Sequence, residues 1–289
     1  MVSHPAVEAM QPQYQSSKMT LVANAIEPVQ IVRVRGGVRV EVDDRAAAEE
    51  PLAVRIGGRP FATIMRTPGA DRELAAGFLL AERIISTADD LGVIEQCRDE
   101  EARGNTINVT LVDAARAERA LSARRDVTSS SSCGVCGRQS IDSLLSDITP
   151  IASRLAMTAV TVAALPDRLR ASQRAFDETG GLHAAGLFTA SGELVDIAED
   201  IGRHNAVDKV IGRRLLLDQL PLTECVLCVS GRTSFEIVQK AAVAGIPILA
   251  AVSAPSTLAI ALAATAGITL VGFVRGDSMN IYSHAQRIT

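Results

Sequence analysis

The sequence predicts an α/β protein in two parts: a smaller β-rich α+β region toward the N-terminus and a larger layered α/β region after it. Three observations carry the prediction. Two pairs of alternating apolar and polar runs each turn about a Gly-Gly pair, Gly36-Gly37 and Gly57-Gly58, as two-residue hairpins require. From residue 183 onward, apolar runs of strand length alternate with segments of helical period, the pattern of a parallel sheet with helices on its faces. The turns after those runs are polar and hold Gly, Ser and Arg, as expected where a sheet's carboxyl edge binds a ligand.

In chain order, residues 1–17 are polar, with neither a basic stretch nor an apolar one, and do not resemble a secretory signal. Residues 1–28 read as a disordered tail. Residues 30–35 and 38–42 form the first hairpin, and residues 52–56 and 61–65 the second. Residues 72–85 place Leu74, Phe78, Leu79, Ile84 and Ile85 near helical spacing. Residues 105–112 alternate again and read as a strand. Residues 29–115 thus make the smaller domain. It holds no phosphate loop, metal cluster or catalytic pairing, and reads as scaffold or dimer surface.

Residues 116–289 make the larger domain. Residues 116–132 are charged and then serine-rich, which gives a mobile loop near residues 126–138. The loop carries Cys133-Gly134-Val135-Cys136-Gly137, with a helix expected over residues 139–145. Strands are expected at 183–188, 194–197, 225–230, 246–252 and 268–274, and helices at 204–217, 233–244 and 256–266.

Composition narrows the function. Net charge is −4 and aromatic residues are 3% with no Trp, which argues against nucleic acid as partner. The longest apolar stretch, residues 241–254, is interrupted by Gly245 and Pro247, so no bilayer span is expected. Five Cys, an odd number, give no disulfide framework and point to a reducing, cytoplasmic setting.

Cys133 and Cys136 stand between glycines and precede Arg138. A tight turn beside positive potential raises the thiolate fraction, and the thiolate is the nucleophile. From the pair alone three readings stay open: half of a zinc site with His183 and His204 as the other donors, a redox pair, or a persulfide carrier. Cys225 and Cys228 share the spacing within an apolar strand, where residues three apart face opposite sides. They read as small buried hydrophobes. Cys97 has no assigned role.

Residues 199–209, Glu-Asp-Ile-Gly-Arg-His-Asn-Ala-Val-Asp-Lys, follow a strand and open a helix. His204 and Asp208 are four apart and share a helix face, so His204 reads as a proton shuttle or loop anchor. The plain alternative is helix capping with a surface ion pair. His183 ends a second polar cluster, residues 179–183. Ser230, Gly231 and Arg232 follow one strand, Ser253 follows the next, and Phe273, Val274, Arg275, Gly276, Asp277 and Ser278 follow the last. With Arg232 and Arg275, helix starts at this edge make an anion site suited to a phosphate-bearing nucleotide. There is no Walker loop and no G-x-G-x-x-G after a strand, which argues against ATP hydrolysis and an ordinary dinucleotide fold.

These segments together resemble the formate dehydrogenase accessory sulfurtransferases, the FdhD/NarQ family. The resemblance runs from about residue 29 to the end, and C-G-x-C-G combined with E-D-I-G-R-H-N-A-x-D-K is its most specific part. It implies a cytidine-deaminase-like fold, a homodimer, and transfer of persulfide sulfur from a cysteine desulfurase to molybdenum bis(molybdopterin guanine dinucleotide), bound as substrate, for the formate dehydrogenase catalytic subunit. It assigns the persulfide to Cys133, relay or loading to Cys136, and the guanine dinucleotide to residues 273–278, with GDP as a mimic. The deaminase H-x-E and P-C-x-x-C signatures are absent. Two other functions remain as alternatives: a non-catalytic chaperone of the same cofactor, and a zinc-dependent amidohydrolase.

Overall fold

The computed structural model describes residues 25–97, 104–125 and 149–289. Among them are three sheets and seven α-helices. β1 (Ile26–Arg35) and β2 (Val38–Ala47) pair antiparallel over their full length as a two-stranded ribbon. β3 (Glu50–Ile56) and β4 (Arg59–Arg66) form the second hairpin. Both turns use Gly-Gly at positive φ, +55° and +82° in the first, +56° and +79° in the second. Those angles match the twist of the flanking strands, as the sequence predicts. β5 (Leu91–Gln96) and β6 (Thr106–Leu111) complete a four-stranded sheet in the order β4-β3-β6-β5.

α1 (Asp71–Ala81) lies against this sheet. Its start is fixed by Arg66, which is 1% exposed and donates to both oxygens of Asp71 at 2.9 Å. An acidic residue in the first turn also suits the helix dipole. α2 (Ala114–Arg125) follows β6. Its Ala120 and Leu121 join the same core, although its charged sequence conceals a helix.

The second half begins with α3 (Ala159–Arg170) and α4 (Arg174–Thr179). It continues through β7 (His183–Phe188), β8 (Leu194–Asp200), α5 (Arg203–Leu216), β9 (Val226–Val229) and α6 (Phe235–Val243). It ends with β10 (Ile248–Ala251), α7 (Thr257–Thr265), β11 (Thr269–Arg275) and β12 (Ser278–Ser283). The six-stranded sheet has the order β12-β11-β10-β9-β7-β8.

The expected parallel sheet is corrected to a mixed one. β9, β10 and β11 are parallel, but β7 runs antiparallel to both β8 and β9, and β12 antiparallel to β11. The cause is local. β7–β8 and β11–β12 are joined by short turns, and a parallel pair needs a long crossover.

Both faces of the sheet are covered, and period-two alternation sorts its residues between them. Leu187, Leu227, Val229, Leu249, Ala251 and Leu270 join the core beneath α5, α6 and α7. Phe188, Val226, Cys228, Ile248, Ala250 and Val271 pack with Val162, Leu165 and Leu169 of α3. The first core also takes in α1 and the inner face of the four-stranded sheet, through Leu52, Val54, Ile56, Ile107 and Val109. No described helix is long and apolar enough to cross a membrane.

α1 and α5 meet backbone to backbone. A Cβ on Gly77 would overlap the carbonyl oxygen of Asp208, and one on Gly212 would overlap that of Glu73. Gly212→Ala should therefore cost about 3 kcal/mol or more, because only a shift of a helix relieves the overlap. Gly181→Ala, whose Cβ would make an ordinary 3.5 Å contact with Ala47, should be close to neutral. Urea denaturation of the two variants checks both outcomes.

Candidate functional site

β9, β10 and β11 are parallel, so Ser230, Ser253 and Arg275 leave the sheet at one edge. β7 runs the other way, and its first residue, His183, pairs with Asp200 at the end of β8. The edge thus gathers His183, the start of α5, the turns after β9 and β10, and the β11–β12 hairpin.

The segment over residues 199–209 is mostly turned inward. Asp200 and Lys209 form a pair at 2.6 Å with side chains 0% and 3% exposed. Asp200 also accepts from the Gly202 amide at 2.8 Å and from Asn205 Nδ2 at 2.9 Å. Lys209 Nζ donates to the Thr67 carbonyl at 2.8 Å, and Asn205 Nδ2 to the Met65 carbonyl at 2.8 Å. The Ile201 amide donates to Thr67 Oγ1 at 3.1 Å. The alternative of a surface ion pair does not describe this segment: the Asp200–Lys209 pair is buried, and it fastens the exit of β4 to the start of α5.

His204 and Asp208 share the face of α5 toward α6. His204 Nε2 lies 3.0 Å from Ser234 Oγ and 3.1 Å from Glu236 Oε2. Burial, then the charges of Arg203, Lys240 and His183, push His204 down to about 3. Burial also raises Glu236. A carboxylate so close ordinarily favours imidazolium, but here burial drives both partners toward their neutral forms. The contact is therefore a hydrogen bond of an uncharged ring. Burial, Arg203 and Arg232 also lower His183. Asp208 is 2% exposed and accepts Lys240 Nζ on both oxygens, at 2.7 and 2.8 Å. Burial raises it to about 6 against the pull of Lys240. It supports the α5–α6 joint and does not reach the edge.

The residues assigned to the cofactor divide into two groups. Arg232, Arg275, Gly276, Asp277 and Ser278 are exposed, while Ser230, Gly231 and Ser253 are half-buried. Ser230 Oγ accepts from the Ala184 amide at 2.9 Å, which ties its turn to β7. Arg275 Nε donates to the Val252 carbonyl at 3.3 Å, and the Phe273 amide to the Ser253 carbonyl at 3.3 Å. Phe273 is 39% exposed at φ +53°. Residues 273–278 are not a tail after the last strand. They are the end of β11, a two-residue turn at Gly276-Asp277, and the start of β12. The Val274 side chain is fully buried in the α3 core, so this position offers a ligand its backbone alone.

Cys133, Cys136 and the loop expected to carry them lie outside the described residues. Cys228 is buried in the α3 core and Cys225 packs on the opposite core, as the strand parity predicts. Burial raises both thiols, Cys228 to about 12. No group of three or more potential metal ligands occurs among the described residues. A cavity of about 320 Å³ lies elsewhere, lined by Leu80, Ile85, Gln239 and Val243 among others, and none of the site residues lines it.

Two residues at the edge escaped the sequence reading as site residues. Arg203 opens α5, and its Nε is buried with no hydrogen-bond partner among the described residues. Thr233 is 1% exposed, and its Oγ1 likewise has no partner. Arg203 stands first in its helix after a glycine, a signal the sequence does carry. The burial of Thr233 leaves none.

Fold and edge define a class: an α/β protein whose mixed sheet gathers arginines and helix starts at one edge. The chain belongs to the FdhD/NarQ family, whose model matches residues 47–289. It is 53% identical over 264 residues to the sulfur carrier protein FdhD of Streptomyces coelicolor, covering 89% of this chain and 94% of that one. The corresponding protein of Anaeromyxobacter dehalogenans strain 2CP-C is 46% identical over 276 residues, covering 92% and 94%. A crystal structure from Desulfotalea psychrophila, of a protein described as a formate dehydrogenase accessory protein, superposes with a TM-score of 0.73. Its identity is 26%, over 92% of this chain and 100% of that one.

Lys209→Met should lower stability by about 3–5 kcal/mol, because it strands the buried Asp200 carboxylate. Pairing it with Asp200→Asn should recover much of that loss, a comparison made by urea denaturation. Thiol labelling of the native protein at pH 8 should leave Cys228 unmodified until the chain is unfolded, since a buried thiol near 12 offers almost no thiolate. Peptide mass mapping reads the result.

Proposed function

We propose that this protein is a sulfur carrier serving formate dehydrogenase. The Cys133 thiolate attacks the outer sulfur of a persulfide on a cysteine desulfurase. The sulfur–sulfur bond of the donor breaks, the donor leaves as a thiolate, and Cys133 becomes a persulfide. The outer sulfur then passes to the molybdenum bis(molybdopterin guanine dinucleotide) substrate held at the carboxyl edge of the six-stranded sheet: the sulfur–sulfur bond on Cys133 breaks, Cys133 leaves as a thiolate, and the two electrons that reduce the transferred sulfur to a sulfide ligand come from the substrate's molybdenum. Cys136 assists relay or loading.

The observation that carries this reading is the presence of Cys133-Gly134-Val135-Cys136-Gly137 in a chain about half identical to relatives named as sulfur carriers. The edge supports it physically: Arg203, Arg232 and Arg275 stand there, and Asp200 is neutralised by Lys209. An anionic nucleotide is attracted to such a surface. In this reading the sheet with helices on both faces is a cytidine-deaminase-like scaffold, and the protein works in the cytoplasm as a homodimer.

Incubation with a cysteine desulfurase and cysteine should add the mass of one sulfur, mapping to Cys133. Cys133→Ala should abolish both the adduct and the maturation of formate dehydrogenase. Full dehydrogenase activity with both Cys133 and Cys136 replaced would instead identify a non-catalytic cofactor chaperone.

A further inference from the structure

We draw no further inference here: the strongest candidate, the apolar face of the β1–β2 ribbon at Ile31, Val38, Val40 and Val42, fits by its acidic base (Glu27, Asp44) and basic tip (Arg33, Arg35) a second copy of the chain, and so restates the homodimer already implied by the family resemblance.

Discussion

The buried pair of Asp200 and Lys209 is the constraint around which the site is arranged. Asp200 ends β8, and Lys209 lies two turns into α5. Between them they also hold the Gly202 amide, Asn205 and Thr67. Isolated, either charge would be very costly to bury. Paired and hydrogen-bonded, they contribute little net stability but allow only one arrangement of their neighbours. That arrangement sets the angle at which α5 leaves the sheet. It therefore sets where Arg203 and His204 stand relative to the turn after β9.

A second buried pair, Asp208 with Lys240, ties α5 to α6 one residue earlier on the helix. With His204 against Ser234 and Glu236, the first two turns of both helices are held by polar contacts. Apolar packing takes over further along, through Val210, Ile211, Val238 and Ala241. The polar end of this joint faces the strand ends and the apolar end faces away, which is how one interface serves both as core and as the wall of a site.

Much of the fold was legible, and for reasons that can be named. The Gly-Gly pairs specify hairpins because two consecutive positive φ angles exclude most other residues. The runs at 225–230, 246–252 and 268–274 are apolar on both parities because helices cover both faces of the sheet. α3 was hidden by Pro166 in its interior, and α2 by a composition too charged to show a period. The segment over residues 199–209 announced chemistry but not its direction. Asp, Asn and Lys in a polar motif look the same whether they face solvent or a neighbouring loop, and Thr67, which receives Lys209, is 142 residues away. The burial of the Val274 side chain was hidden for a related reason. A motif read as a contiguous stretch ignores that alternate residues of a strand face opposite sides.

The glycine contact between α1 and α5 has a mechanical consequence. Side chains meshed between helices can exchange rotamers and absorb displacement, but two backbones in direct touch have no such slack. α1, which packs on the four-stranded sheet, is thereby held at a fixed distance from α5. Neither helix can slide along the other without backbone overlap, so α1 and α5 move as one piece.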